Sequence, residues 1–163
     1  MIDTNTRRAI ARDPAQTLLS LAQSLASRRP DFLDTKGPGL GDHATTAFMR
    51  DLRARALKRF GADHAEQKIC GPNGFCVDYY FRKEGTIVEV ALGLPKKTTE
   101  FERDVLKAVM AKEQGSPVRR LVFISKPGAI KKCAQPGRTA IINWLSQNHR
   151  ISVEIHELGV RAV

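Results

Sequence analysis

Apolar side chains recur along the chain at two periods, and each change of period marks a change of element. Between Asp13 and Pro30, Leu18, Leu19, Leu21, Ala22 and Leu25 fall at helical spacing, opened by Asp13-Pro14 and stopped near Arg28, Arg29 and Pro30. The stretch DTKGPGLGD then places one proline and three glycines in a row of loop signals. A boundary near residue 41 follows, with an N-terminal helical arm and linker over 1–41 and an α/β domain over 42–163. Asp42 or Thr45 opens a second helix, in which Phe48, Leu52, Ala56 and Phe60 form one stripe and Gly61 is the stop.

From Ala65 the period becomes two. KICGPNGFC reads as strand, turn and strand about Pro72, Asn73 and Gly74. A second hairpin follows at once, since Phe75, Val77, Tyr79 and Phe81 alternate with Cys76, Asp78, Tyr80 and Arg82. Its partner alternates Val88, Val90, Leu92 and Leu94 with Ile87, Glu89, Ala91 and Gly93. Thr98 or Thr99 caps a helix to about Lys112, closed by Gly115 and Pro117. In VRRLVFISK the run Leu121 to Ile124 is apolar on both faces, as in a central strand covered on both sides. A Gly/Pro/Lys-rich segment leads to a helix from about Pro136 to Asn148, and ISVEIHE alternates as a last, half-exposed strand. After the arm the predicted order is αβββαβαβ, an α/β fold with a central mixed sheet flanked by helices.

Composition narrows the function classes. The chain has 163 residues, 42% of them hydrophobic, enough for one domain with a real core. No apolar run approaches the roughly 20 residues of a bilayer helix, and no hydrophobic stretch follows the N-terminal arginines, so membrane and secreted readings are poor. Three cysteines are an odd set and predict a reducing compartment, the cytoplasm. The net charge is +10, and residues 116–163, with eight basic and two acidic side chains, supply +6 of it. Such an excess predicts a polyanionic partner. Lys126, Lys131, Lys132 and Arg138 read as a basic rim touching a nucleic-acid backbone, and Lys96 and Lys97, in a loop after Pro95, meet phosphate or solvent.

The second hairpin carries the chemistry. A turn at Lys83-Glu84 or Glu84-Gly85 puts Asp78 and Glu89 on one face, as direct or diagonal neighbours, and a one-residue slip is forbidden by the apolar sets. Like charges so close repel unless something positive lies between them, and Mg²⁺ (or Mn²⁺) suits two hard oxygen donors. In the alternative, both acids face solvent on the open side of the sheet. On the next helix Glu102 shares a side with Leu106 and Val109, while Glu100, Asp104, Lys107 and Ala111 form a flanking stripe.

These residues resemble the PD-(D/E)xK nuclease superfamily of restriction endonucleases and DNA-repair nucleases, over about residues 42 to 126. Val77-Asp78 stands where that family has Pro-Asp, and Glu89-Val90-Ala91 where it has (D/E)-x-K. Ala91 replaces the family's lysine, which relocates in some members; Lys107 is the preferred substitute, with Lys96 and Lys97 as alternatives. The resemblance implies a restriction-endonuclease-like αβββαβ core and Mg²⁺-dependent hydrolysis of DNA phosphodiesters. Asp78 and Glu89 would hold the metal, Lys107 would stabilise charge, and Glu102 would help hold the metal or orient water. The rival reading, for which Ala91 is the best argument, is a non-catalytic nucleic-acid-binding or complex-forming domain of the same fold. In a third, the arm mediates self-association.

Overall fold

The structure, a computed structural model, describes residues 13–29, 32–34 and 40–159, the side chains of 40–42 excepted. Its helices are α1 (Pro14–Ser27), α2 (Leu40–Phe60), α3 (Glu100–Glu113), α4 (Ala129–Cys133) and α5 (Pro136–His149). Its strands are β1 (Ala65–Gln67), β2 (Val77–Phe81), β3 (Thr86–Val90), β4 (Arg120–Ser125) and β5 (Ser152–Glu157). The five strands lie in space in chain order, β1-β2-β3-β4-β5. The β1, β2 and β3 pairings are antiparallel, and β3, β4 and β5 run parallel. This is the predicted α/β architecture with a five-stranded mixed sheet. Among the described residues no helix is long and apolar enough to cross a membrane.

Alternation decides which helices cover which face. Tyr79, Phe81, Val88, Val90, Val122 and Ile124 point to one side and pack in a single core with α1 (Leu18, Leu19, Ala22, Leu25) and α2 (Phe48, Leu52, Ala56). Tyr80, Ile87, Ala91, Leu121 and Phe123 point to the other, under Phe101, Val105 and Ala108 of α3 and Leu145 of α5. The central strand β4 is buried on both faces, as its uninterrupted apolar run requires. Glu89 and Asp78 therefore do not lie on an open sheet face: α3 covers it. The helix of the predicted arm shares a core with α2 and the sheet.

Three local readings need correction. The segment KICGPNGFC does not form the strands expected about Pro72 to Gly74, because β1 ends at Gln67 and β2 begins only at Val77. Asn73 folds the intervening segment instead: its amide donates to the Cys70 carbonyl and its side-chain oxygen accepts from Phe75 N–H, at 2.9 Å each, an Asx arrangement that competes with a ladder. Val77, with Phe75, packs with the α3 side and not with Tyr79 and Phe81, and Leu94 packs there and not with Val88, Val90 and Leu92, since Val77 opens β2 and Leu94 lies in the turn after β3. The Gly/Pro/Lys-rich segment contains the one-and-a-half-turn helix α4. Glu157 caps it, accepting from the N–H groups of Gly128 and Ile130 at 3.1 and 2.9 Å.

Candidate functional site

The β2–β3 register pairs Tyr79 with Val88, Tyr80 with Ile87 and Phe81 with Thr86, so the next step sets Asp78 against Glu89. At that step side chains take over from the backbone ladder. Asp78 N–H donates to Glu89 Oε2 at 3.2 Å, and Val90 N–H donates to Asp78 Oδ2 at 2.8 Å. Each acid is thus fixed by the main chain of the neighbouring strand. Glu89, in the middle of the sheet with β4 on its other side, is 1% exposed, and Asp78 is half-buried at the start of β2.

Helix α3 lays further charges over this pair. Its buried side carries Phe101, Val105 and Ala108, flanked by Asp104 and Lys107. Phe101 stacks on Phe123 of β4 with ring centroids 5.4 Å apart, which fixes how the helix is rolled on the sheet. Lys107 Nζ then lies 3.4 Å from Glu89 Oε1 and 2.9 Å from Asp104 Oδ1. The second contact is an ion pair without hydrogen-bond direction, and Asp104 Oδ1 has no hydrogen bond among the described residues. Glu100, in the first turn, accepts Gly93 N–H on Oε2 at 2.9 Å. A Cβ at residue 93 would press on that oxygen and displace the Glu100 carboxylate, so glycine allows the contact as it stands.

Four carboxylates and one ammonium therefore meet on one covered face. Burial pushes the Glu89 carboxyl well above its ordinary range, with the charges of Asp78 and Asp104 adding to it. Asp78, Asp104 and Glu100 are also raised, each chiefly by burial; Val90 N–H offsets part of this for Asp78 and the Lys107 ammonium part of it for Asp104. Burial opposes charge on Lys107, but Glu89, Asp104 and Asp78 outweigh it and leave the ammonium held more firmly than usual. The cluster has an excess of negative charge that a cation or protons must offset. Among the described residues no three His, Cys, Asp or Glu side chains form a group able to hold a metal ion. Two neighbouring carboxylates still fit a hard divalent cation that keeps several of its waters, the usual habit of Mg²⁺.

The remaining predicted residues are placed unevenly. Glu102 is exposed and points away from the cluster; Leu106, four residues on, is 49% exposed, so that stripe of α3 faces solvent at these two positions, while Val109 at its end is buried and the flanking stripe faces the sheet. Glu100 and Asp104 occupy the position expected of Glu102. Ala91 is buried in the α3-side core, its N–H donating to the Ile124 carbonyl. Lys96 and Lys97 are exposed in the turn after β3, as is Lys131 on α4, where Lys132 is half-buried. Lys126 lies 5.3 Å over the Phe32 ring. Arg138 is not part of any rim. It is 6% exposed, donates to the Leu94 carbonyl at 2.7 Å and sits 5.1 Å over the Phe101 ring, because it projects inward from the first turn of α5.

Tyr80, on the carboxylate face, is buried and its hydroxyl has no partner among the described residues. Cys70 is buried with its thiol donating to the Lys107 carbonyl at 3.4 Å, beneath the helix that carries the ammonium. No family model matches the chain, and no curated protein or solved structure matches it either.

Proposed function

We propose that the protein is a divalent-cation-dependent hydrolase of nucleic-acid phosphodiesters, with DNA as substrate, built on an αβββαβ core of the restriction-endonuclease type. The observation that carries the reading is the Lys107 ammonium, 3.4 Å from Glu89 and on the face that Glu89 shares with Asp78. The resemblance calls for an ammonium group at this place, and α3 delivers one where Ala91 cannot. The strand order supports it too: antiparallel β1-β2-β3, then α3, then β4 parallel to β3.

Asp78 and Glu89 would hold the cation, Mg²⁺ or Mn²⁺, which when bound supplies a water made nucleophilic at neutral pH and a counter-charge for the phosphate. Asp78 Oδ2 is oriented by Val90 N–H, so the ligand is aimed before any cation arrives. Lys107, gripped by Glu89 and Asp104, offers its N–H groups to the phosphoryl oxygens, where negative charge grows as water adds to phosphorus and the sugar oxygen leaves. Glu100 and Asp104 add negative charge beside the pair and raise its demand for a cation.

One observation favours a second reading, a nucleic-acid-binding domain without activity: both Glu89 oxygens already have internal partners, Asp78 N–H and Lys107 Nζ. A nicking assay on supercoiled plasmid decides between them. The hydrolase nicks with Mg²⁺ or Mn²⁺, stops on chelation, and is lost in Asp78→Asn and Glu89→Gln with folding retained. A wild-type protein inert with both metals leaves the binding reading.

A further inference from the structure

A cavity of about 590 Å³ lies between α2 and the β1–β2 edge of the sheet. Its walls are mainly apolar, with Met49, Ala54 and Leu57 contributed by α2 and Ala65 and Tyr79 by the strands. Leu57 is 47% exposed, one of the few large apolar side chains among the described residues left open to solvent. Asp78 belongs both to this lining and to the carboxylate cluster: the cavity lies on the α2 side of the sheet and the cluster on the α3 side, and the two meet at the start of β2.

The polar part of the rim is built unequally. Arg53 is locked, with Nη2 2.7 Å from Asp63 Oδ2 and Nη1 2.7 Å from Glu66 Oε2. Glu66 holds a left-handed φ of +49°, a conformation that costs a glutamate energy and that persists only where neighbours enforce it. The neighbouring Arg50 bonds Asp51 through Nε alone, at 3.1 Å, and its side chain is 74% exposed. Its two terminal nitrogens have no partner among the described residues. The rim thus pairs a fixed wall with uncommitted cationic donors.

We propose that this cavity is a subsite for one unstacked base of a nucleic-acid strand whose phosphate lies at the Asp78–Glu89 pair, a statement that rests on the hydrolase reading above. Its volume is in the range of pockets that enclose one small ligand, which suits a base with its sugar and excludes a duplex. Bases taken out of a stack are held between apolar side chains, the chemistry of these walls. Arg50 meets the adjoining phosphate. The favoured substrate is a single strand, a frayed end or an unpaired nucleotide, in place of an intact duplex.

The test is binding by metal-free protein to two labelled probes of equal length, an oligothymidylate and an abasic deoxyribose-phosphate chain. Wild type binds the thymidylate about tenfold more tightly, the scale of one stacked base. Ala54→Trp, which fills the cavity from an exposed position on α2, removes the difference and leaves abasic binding unchanged. Leu57→Ala, a milder change at an exposed site, reduces the difference several-fold if the tryptophan variant fails to fold. Arg50→Ala weakens both probes equally. Equal affinity of wild type for the two probes, no binding of either at low salt, or a preference that survives in folded Ala54→Trp overturns the subsite. The two proposals fail separately: base preference in a protein that leaves plasmid intact keeps the subsite and discards hydrolysis, and nicking with equal affinities does the reverse.

Discussion

At Lys107 an ammonium group is held by two buried carboxylates, and the three charges determine one another. In the hydrolase, Lys107→Ala lowers nicking by about 10²-fold, the effect of losing one positioned charge-stabilising group, while DNA affinity barely changes. Ala91→Lys in that background restores part of the rate, since residue 91 lies on the face of Glu89, two residues further along the same segment. In the same assay Glu100→Gln lowers the rate and Glu102→Gln does not. The contrast shows what the sequence made legible. Period two was enough to place Asp78 and Glu89 together, and helical spacing was enough to bring Lys107 beside Asp104. The roll of α3 was not legible. Leu106 looks like a core residue by composition, yet Phe101 seated on Phe123 turns it outward, carrying Glu102 with it. Arg138 was misread for a related reason, because a count of charges is blind to a guanidinium buried over an aromatic ring. Arg138→Ala leaves the Leu94 carbonyl without its donor and costs about 1–3 kcal/mol in denaturant unfolding, with DNA affinity unchanged.

At the scale of elements, α1 is tied to the far half of the sheet by Arg120 of β4. Its guanidinium lies 2.9 Å from Asp13, the residue whose side chain caps α1, and 2.9 Å from Glu154 of β5. The hydrogen bonds from Arg120 hold both carboxyls below their ordinary range. Groups with lowered values contribute stability above the pH at which they ionise in the unfolded chain, about 4, and lose it as pH falls through the lower folded values. Arg120→Met therefore lowers the melting temperature at pH 7, and the two melting curves converge in acid; a gap that stays constant from pH 7 to pH 2 counts against the link. The helix itself was legible from its leucines and the Asp13-Pro14 opening. The tie to Arg120 was not, since it joins residues more than a hundred positions apart. Likewise the β2–β3 turn was readable from Glu84-Gly85, but not what enforces it: Gly85 has φ +60°, its carbonyl accepts from Arg119 and Arg120, and a side chain there would strike the Pro117 carbonyl.

For the whole molecule, the +10 charge acts through the cations that remain accessible. With Arg138 buried and Lys126 over the Phe32 ring, Lys96, Lys97, Lys131 and Lys132 are left from the predicted set. Four neutralised phosphates give a log K against log salt slope of roughly −3 to −4 on duplex DNA, and Lys131→Ala with Lys132→Ala reduces its magnitude by about 2. Affinity that does not change with salt removes the nucleic-acid reading at this scale. The layering was legible, because the both-sided apolar run of β4 demands cover on two faces. The cavity beside α2 was not, since a void leaves no mark in a hydrophobic pattern.

The strands also lie in space in the order in which they occur in the chain, and the charged cluster is drawn from one continuous stretch, residues 78–107. Insertions and deletions therefore divide sharply by position. A length change before Asp78 or after Lys107 leaves the spacing of the cluster untouched, and one in the turn at 82–85 is absorbed as a longer or shorter loop. A single residue added between Asp78 and Phe81, or between Thr86 and Glu89, turns one of the two acids to the α1–α2 face and dissolves the pair. The cluster is inherited as a block or not at all.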